Sequence, residues 1–363
     1  LIISKIEMTN VTQTFLPPIS QYQQILQRAW DKIWLTNRGE LVLELETNIA
    51  QKLSSKKGIA MNNGTIPIQI ALKLLGNGGE IITTPFSYVA TTSSIVWEGC
   101  TPVFVDIQPN YWTIDPEKIE AAITEKTTCI LATHVFGNPC DVIKINAIAK
   151  KYNLAVIYDA AHSFGVTYAG QSIFDFGDIS TCSFHATKIF HTGEGGMLFA
   201  NKDQLLTDSY NAHNFGHNGP TAFHGVGING KMSELSAAMG LAVLPYLDEI
   251  IAARKEIADY YFSNISTTVQ TIDLRDGTNW NYSYFPVVFE TEAHLLNVIE
   301  KLNEQDINPR RYFYPSLNTL DFVNGSSCPI SESLASRILC LPLFVGLDKV
   351  TQSQVIETIN NLV

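Results

Sequence analysis

Residues 58 to 200 alternate short, β-branched apolar runs with longer helical patterns, and nearly every apolar run ends in a small or polar cluster. That alternation is the signature of βα units. The runs predict strands at Gly58–Met61, Glu80–Thr84, Pro102–Asp106, Thr128–Thr133, Leu154–Asp159, Ile179–Phe184 and Gly196–Asn201. Leu154-Ala155-Val156-Ile157-Tyr158 is apolar throughout, the pattern of a strand buried on both faces. The expectation is an α/β large domain, residues 1–245, with a mostly parallel seven-stranded sheet between helices. Helices are predicted at Thr65–Leu75, Pro116–Ile123, Val142–Lys151 and Ser233–Leu244, the last followed by an amphipathic stretch towards Ile265. The pattern then changes to a strand-like Tyr282–Phe289, a helix near Ala293–Gln305 and a final helix Gln352–Leu362. Residues 246–363 therefore read as a smaller α+β domain.

With 363 residues, 45% of them hydrophobic, the chain can bury a large core without disulfides or structural metals. Lys and Arg number 24 against 35 Asp and Glu, a net charge of -11. Such a field repels polyphosphate, so no nucleic-acid partner is expected. A small anion in a locally positive pocket remains compatible with it. Cys100, Cys129, Cys140, Cys182, Cys328 and Cys340 are widely spaced, without a CxxC pair or Cys/His knuckle, so buried reduced thiols and no metal site are expected. The opening Leu1–Ile6 has no initiator Met, with Met8 a candidate start, and is too short in apolar length for a secretory signal. No apolar run approaches the roughly 20 residues that span a bilayer. A cytoplasmic location without membrane attachment is expected.

In open α/β sheets ligands collect beyond the carboxyl ends of the parallel strands, and four places there carry chemistry. Asn62-Asn63-Gly64-Thr65 follows a strand and opens a helix, placing free backbone N–H groups and a hydroxyl where an anion is stabilised. It reads equally as a helix cap. There is no Walker lysine and no GxGxxG. Asp159, followed by Ala160-Ala161-His162, ends a central strand; it is either a structural cap or the partner of a buried cation. Lys188 lies on the turn Ser183-Phe184-His185-Ala186-Thr187-Lys188, before Gly193-Glu194-Gly195-Gly196. It is either a solvated surface group or an amine whose pKa burial lowers until it can form a Schiff base. Pro85–Thr91 offers Tyr88 as a core aromatic or as a platform for a ring.

Taken together, these parts suit pyridoxal 5'-phosphate, and the chain resembles the fold type I sugar-nucleotide aminotransferases of the DegT group over nearly its whole length. Asn63-Gly64-Thr65, Tyr158–His162, Ser183–Lys188, Gly193–Gly196 and Gly227-Ile228-Asn229-Gly230-Lys231-Met232 carry the resemblance. It implies that Lys188 is catalytic, joining the cofactor and moving protons, while Asp159 pairs with the pyridine nitrogen. It further implies that Tyr88 stacks on the ring, that His162 lies near the ring hydroxyl and that Gly64, Thr65 and Ser183 hold the phosphate. Asn229 would reach the phosphate in a neighbouring subunit, which makes the expected assembly a homodimer with shared active sites. Many members carry Gln where this chain has His162. A dehydratase branch replaces the lysine by histidine, so Lys188 favours amine transfer over deoxygenation.

The implied reaction takes the amine from L-glutamate through pyridoxamine 5'-phosphate to a nucleotide-linked keto sugar. Trp34–Asn37, Asn62–Thr65, Ser183–Lys188 and Arg310-Arg311-Tyr312-Phe313-Tyr314-Pro315 are most similar to enzymes that aminate C4 of dTDP-4-dehydro-6-deoxyglucose, a step of surface-polysaccharide biosynthesis such as that of O-antigen. C3 amination, a lyase or epimerase, and a non-catalytic regulator on the same fold are the alternatives. Arg310 and Tyr312 read either as contacts to the substrate's phosphates or as part of a solvated loop. His185, His191, His213, His217 and His224 read as hydrogen-bonded structural residues. His185, three residues before the lysine, is carried with Arg310 and Tyr312 as a candidate substrate contact.

Overall fold

The computed structural model describes residues 8–363; the reading of Leu1–Ile6 lies outside them. The central sheet has strands β1 (Gly58–Met61), β2 (Glu80–Thr83), β3 (Thr101–Phe104), β4 (Thr127–Thr133), β5 (Ala155–Asp159), β6 (Ile179–Ser183) and β7 (Gly196–Ala200). Their order in space is β1-β7-β6-β5-β4-β2-β3, and β7 runs antiparallel to both its neighbours while the other pairs are parallel. The expected mostly parallel seven-stranded sheet is therefore present. From β2 the chain moves outward to β3, whereas β4 leads the other way to β5 and β6. The connections after β2 and β4 thus part at the carboxyl edge and open a crevice there.

Helices α1 (Ile19–Asp31), α2 (Glu40–Lys52), α3 (Thr65–Leu75), α4 (Val89–Trp97), α5 (Pro116–Ile119), α6 (Val142–Tyr152), α7 (Asp203–His213) and α8 (Glu234–Val243) surround the sheet. Alternate residues of one strand enter different cores. Leu131 and Ile157 pack with Ile68 and Leu72 of α3, whereas Ile130 and Val156 pack with Ile145 of α6. Both faces are therefore dry, as the apolar run of β5 requires. Helix α8 packs on α1 and α2, around a core that includes Leu41, Leu45, Phe184 and Leu241.

Beyond α8, Leu244–Tyr246 forms a 3-10 turn at Pro245 before α9 (Leu247–Asn264). The whole run Glu234–Asn264 is long and apolar enough to cross a membrane, which the sequence reading did not anticipate; half of its most apolar window is buried inside the protein. Strands β8 (Gln270–Thr271), β9 (Phe285–Val288) and β10 (Ile338–Leu341) form a second, antiparallel sheet. It is covered by α9, α10 (Glu292–Asn303) and α12 (Lys349–Asn360), with α11 (Pro329–Arg337) leading into β10. Thr9–Asn10 pairs with Ile307–Asn308, so the start of the described chain lies on this second unit. Phe86, Trp112, Phe136, Trp280, Tyr284 and Phe313 share one core, which joins the two units beside the crevice.

Several segments differ from their sequence pattern. The helix expected over Pro116–Ile123 is a single α turn that tightens to 3-10 at Glu120–Ala122, after which Ile123 is extended and turns the chain towards β4. The final helix starts at Lys349 rather than Gln352, because Asp348 caps it by accepting from the N–H and hydroxyl of Thr351 at 2.9 and 2.8 Å. Helices α1, α2, α4, α7 and α11 were not anticipated, and the cap of α2 is remote: buried Glu234 accepts from the N–H groups of Leu41 and Val42 at 2.8 and 3.2 Å. Gly39 makes room for this, since a Cβ there would lie 2.5 Å from the Trp34 ring and 2.8 Å from the Glu234 carboxyl.

Candidate active site

A cavity of about 410 Å³ opens at the carboxyl edge of the large sheet. Gly64, Thr65, Tyr88, Asp159, His162, Ser183, His185, Lys188, Arg310 and Tyr312, all anticipated from sequence, line it together. Asn229 does not; it is exposed and bridges Asn214 instead. Asn63, Glu194, Tyr284 and Phe313 also line the cavity but were not named as site residues. Tyr284 and Phe313 come from the second unit, and only the packing of the two units shows that they close over the crevice.

Asp159 ends β5 in register with Thr133 on one side and Thr181 on the other. It is 4% exposed, and Thr91 Oγ1 donates to its Oδ2 at 2.7 Å while the Ala161 N–H donates to Oδ1 at 3.1 Å. Burial pushes its pKa up, against the pull of these two donors and of the Lys188 charge. Lys188 sits in the β6–β7 connection, where Phe184 and Ala186 donate to the carbonyls of Gly195 and Gly193. The antiparallel course of β7 folds that connection back over the sheet edge. Burial lowers the Lys188 amine to about 8, although Asp159 favours its charged form. Its Nζ lies 5.8 Å from the centre of the Tyr284 ring.

His162 lies nearly parallel to two aromatic neighbours, 5.6 Å from Phe313 and 6.1 Å from Phe136, which are also 5.7 Å from each other. The Phe136 N–H donates to its Nδ1 at 3.2 Å. That bond needs a lone pair on Nδ1, so the neutral ring carries its proton on Nε2. Burial holds the ring neutral by pushing its pKa well down. Nε2–H is thus left as a donor.

At the start of α3, Asn63 Oδ1 accepts from the N–H groups of Thr65 and Ile66 at 2.8 and 2.9 Å. The N–H groups expected to be free are therefore held by an Asx turn. Gly64 lets Ser183 approach, since a Cβ at Gly64 would lie 2.6 Å from Ser183 Cβ and 2.8 Å from its Oγ. Glycine here leaves a cradle beside two hydroxyls, those of Thr65 and Ser183. Tyr88 is the N-cap residue of α4 and is 52% exposed, so an aromatic face is available at the cavity. His185 accepts from the Thr187 N–H at 3.2 Å and lies 3.7 Å from Glu194. Of the two adjacent arginines, Arg311 is held by Glu292 at 2.6 Å and the Ser336 carbonyl at 3.0 Å. Arg310 lines the cavity instead, with its guanidinium 4.6 Å from the Tyr312 ring centre.

A depressed lysine and a buried carboxylate at the carboxyl edge of this sheet, closed by a smaller α+β unit, define an aminotransferase-type α/β enzyme. The chain belongs to the DegT/DnrJ/EryC1/StrS aminotransferase family, whose model matches residues 19–360. DegT-family aminotransferases depend on pyridoxal phosphate. The chain is 39% identical over 360 residues to the dTDP-4-amino-4,6-dideoxy-D-glucose transaminase of Shigella dysenteriae, covering 97% of this chain and 98% of that one. It is 32% identical to the GDP-perosamine synthase of Escherichia coli O157:H7, covering 93% and 94%. Among solved structures, DesI in the presence of its TDP-sugar product superposes with a TM-score of 0.93 at 29% identity, covering 99% of this chain and 93% of that chain.

Proposed function

We propose that the protein transfers an amino group from L-glutamate to C4 of dTDP-4-dehydro-6-deoxy-D-glucose, giving dTDP-4-amino-4,6-dideoxy-D-glucose. One observation carries the amine-transfer reading: Lys188, lowered to about 8, shares a cavity with buried Asp159. The sugar rests on the similarity to the Shigella transaminase over 97% of the chain.

The residues fit a phosphate-bearing pyridine ring: hydroxyl donors at the Gly64 cradle, an aromatic face, an Nε2–H donor, a buried carboxylate and an amine. When bound, pyridoxal 5'-phosphate supplies an aldehyde that condenses with amines and a heterocycle that withdraws electrons. Asp159 would keep the ring nitrogen protonated, and Tyr88 would cover one face of the ring. His162 Nε2–H would donate to the ring oxygen, while Gly64, Thr65 and Ser183 hold the phosphate. Lys188 Nζ would be the amine that the cofactor's aldehyde takes up and the group that takes a proton and returns it. Its lowered pKa leaves a usable fraction unprotonated near neutral pH. Arg310 and Tyr312 would bind the nucleotide sugar's diphosphate, with His185 beside them. Asn229, exposed and outside the cavity, would reach the phosphate of the other subunit in a cytoplasmic homodimer.

The test is a two-stage assay. Glutamate added to the yellow holoenzyme should bleach its visible band and release 2-oxoglutarate. A panel of dTDP- and UDP-keto sugars should then show mass gain only with the dTDP-4-keto substrate, with nitrogen at C4 by NMR. Protein that binds no pyridoxal phosphate, or product aminated at C3, would overturn the proposal.

A further inference from the structure

Outside the cavity lining, three buried hydroxyls lead in an unbroken chain to Asp159. Thr133 Oγ1 lies 3.0 Å from Ser87 Oγ, Ser87 Oγ 2.8 Å from Thr91 Oγ1, and Thr91 Oγ1 2.7 Å from Asp159 Oδ2. None of the four residues is more than 5% exposed. They come from separate elements: Thr133 ends β4, Ser87 lies in the turn after β2, Thr91 is in the first turn of α4 and Asp159 ends β5.

The charge of Asp159 decides which way this chain points. A hydroxyl has one hydrogen, and an ionised carboxylate only accepts. Thr91 must therefore donate to Asp159, which leaves Ser87 to donate to Thr91 and Thr133 to donate to Ser87. Three O–H dipoles then line up towards the carboxylate, each polarising the next. With the Ala161 N–H on Oδ1, each oxygen of Asp159 has one donor, which fixes the plane of the group. Thr91 also anchors the aromatic wall, since its N–H donates to the Tyr88 carbonyl at 3.1 Å.

We propose that Thr91, aligned by Ser87 and Thr133, is a positioning residue that keeps Asp159 ionised and aimed into the cavity. The inference rests on the role given to Asp159 above and identifies what sustains it. The other titratable groups facing Asp159 are Lys188 from the β6–β7 connection, His162 on the turn after β5, and the thiols of Cys140 and Cys182. Burial keeps both thiols and the imidazole neutral. Lys188 is the remaining charge, and it makes no hydrogen bond to the carboxylate among the described residues. The hydroxyl chain is thus the direct support of the anion.

The test follows the Asp159 carboxyl carbon by NMR in cofactor-free protein, assigned with Asp159→Asn, together with the dissociation constant for pyridoxal phosphate. Thr91→Val should move the Asp159 titration up by about one pH unit and weaken cofactor binding roughly tenfold or more, the loss expected for a hydrogen bond to a charged group. Thr91→Ser should restore both, and Ser87→Ala should give a smaller shift in the same direction. A Thr91→Val protein with a lower melting temperature but unchanged titration and cofactor affinity would reduce Thr91 to a structural residue and overturn the proposal. Should Thr91→Val not fold, Ser87→Ala is read by the same criteria. Wild-type protein without affinity for pyridoxal phosphate would defeat the proposed function, while the Asp159 titration would still decide the role of Thr91.

Discussion

Replacing Lys188 by methionine should stabilise the cofactor-free protein, and should do so only below the pH at which the amine of the unfolded chain, too, has lost its proton. The wild-type amine falls from its ordinary 10.5 to about 8, chiefly through burial, with Asp159 opposing the fall and Arg310 adding to it. Between those values the unfolded chain holds a proton that the folded chain lacks. Wild-type stability therefore rises with pH from about 8 to 10.5. Below pH 8 the folded protein carries the whole penalty, ~3 kcal/mol at 1.36 kcal/mol per pH unit. Methionine keeps most of the side-chain volume and removes the charge. Asp159 loses its attraction to the amine, which offsets part of the gain, so the net gain near pH 7 should be roughly 2–3 kcal/mol. Urea unfolding of cofactor-free wild type and variant at pH 6.5 to 10.5 reads this directly. The gap between midpoints should be widest below pH 8 and close as the pH approaches 10.5. A gap of constant size, or a variant less stable than wild type at pH 7, would refute the buried-amine argument.

Four further substitutions at three positions address the supports. Gly64→Ala should lower the melting temperature although its φ of -79° suits alanine, because the new methyl would lie 2.6 Å from Ser183 Cβ, and should weaken pyridoxal phosphate at least ~10-fold by dialysis as Ser183 is displaced. His162→Gln should bind the cofactor with a near-native visible spectrum, whereas His162→Phe should lose ~1–3 kcal/mol by leaving the Phe136 N–H without its acceptor. Glu234→Ala should lower stability by roughly 2–4 kcal/mol in thermal unfolding, since two buried N–H groups at the start of α2 lose their partner, with cofactor affinity unchanged.

The strand ends were legible because an apolar run has a definite stop. Met61, Thr84, Asp159 and Phe184 end the apolar runs, each within a residue of where its strand ends, and in a parallel sheet those stops lie along one edge. That logic brought Gly64, Tyr88, Asp159 and Lys188 to one place. It could not reveal Tyr284 or Phe313, whose position depends on how the second unit packs through Trp280, which donates to the Phe136 carbonyl at 2.7 Å. Nor could it reveal α2, whose N-cap position is a glycine and whose capping acceptor is Glu234, far along the chain. Asn63 is the opposite case. Asn two residues before a helix is a familiar local cap, and its hold on the Thr65 and Ile66 N–H groups was readable in principle from Asn63-Gly64-Thr65.

Hydrogen-bond accounting separates this site from a structural ion pair elsewhere in the same protein. Glu46 is as buried as Asp159, yet it accepts from Arg38 Nε and Nη2 at 3.1 and 2.6 Å and from the Ala60 N–H at 2.9 Å. Its demand for donors is met within the chain, and the pair holds α2 against β1. Asp159 has one donor on each oxygen, Thr91 Oγ1 and the Ala161 N–H, and the nearby lysine acts on it through space without a hydrogen bond. Burial destabilises both charged groups, and their attraction does not offset it, as the lowered amine and raised carboxyl show. A ligand that presents a protonated ring nitrogen to Asp159 and takes the Lys188 amine into a covalent bond relieves both penalties together. The free protein is therefore strained towards that ligand, so cofactor loading should raise stability by more than the phosphate contacts alone would provide. A holoenzyme whose added stability survived intact in Lys188→Met would show that the amine has no part in it.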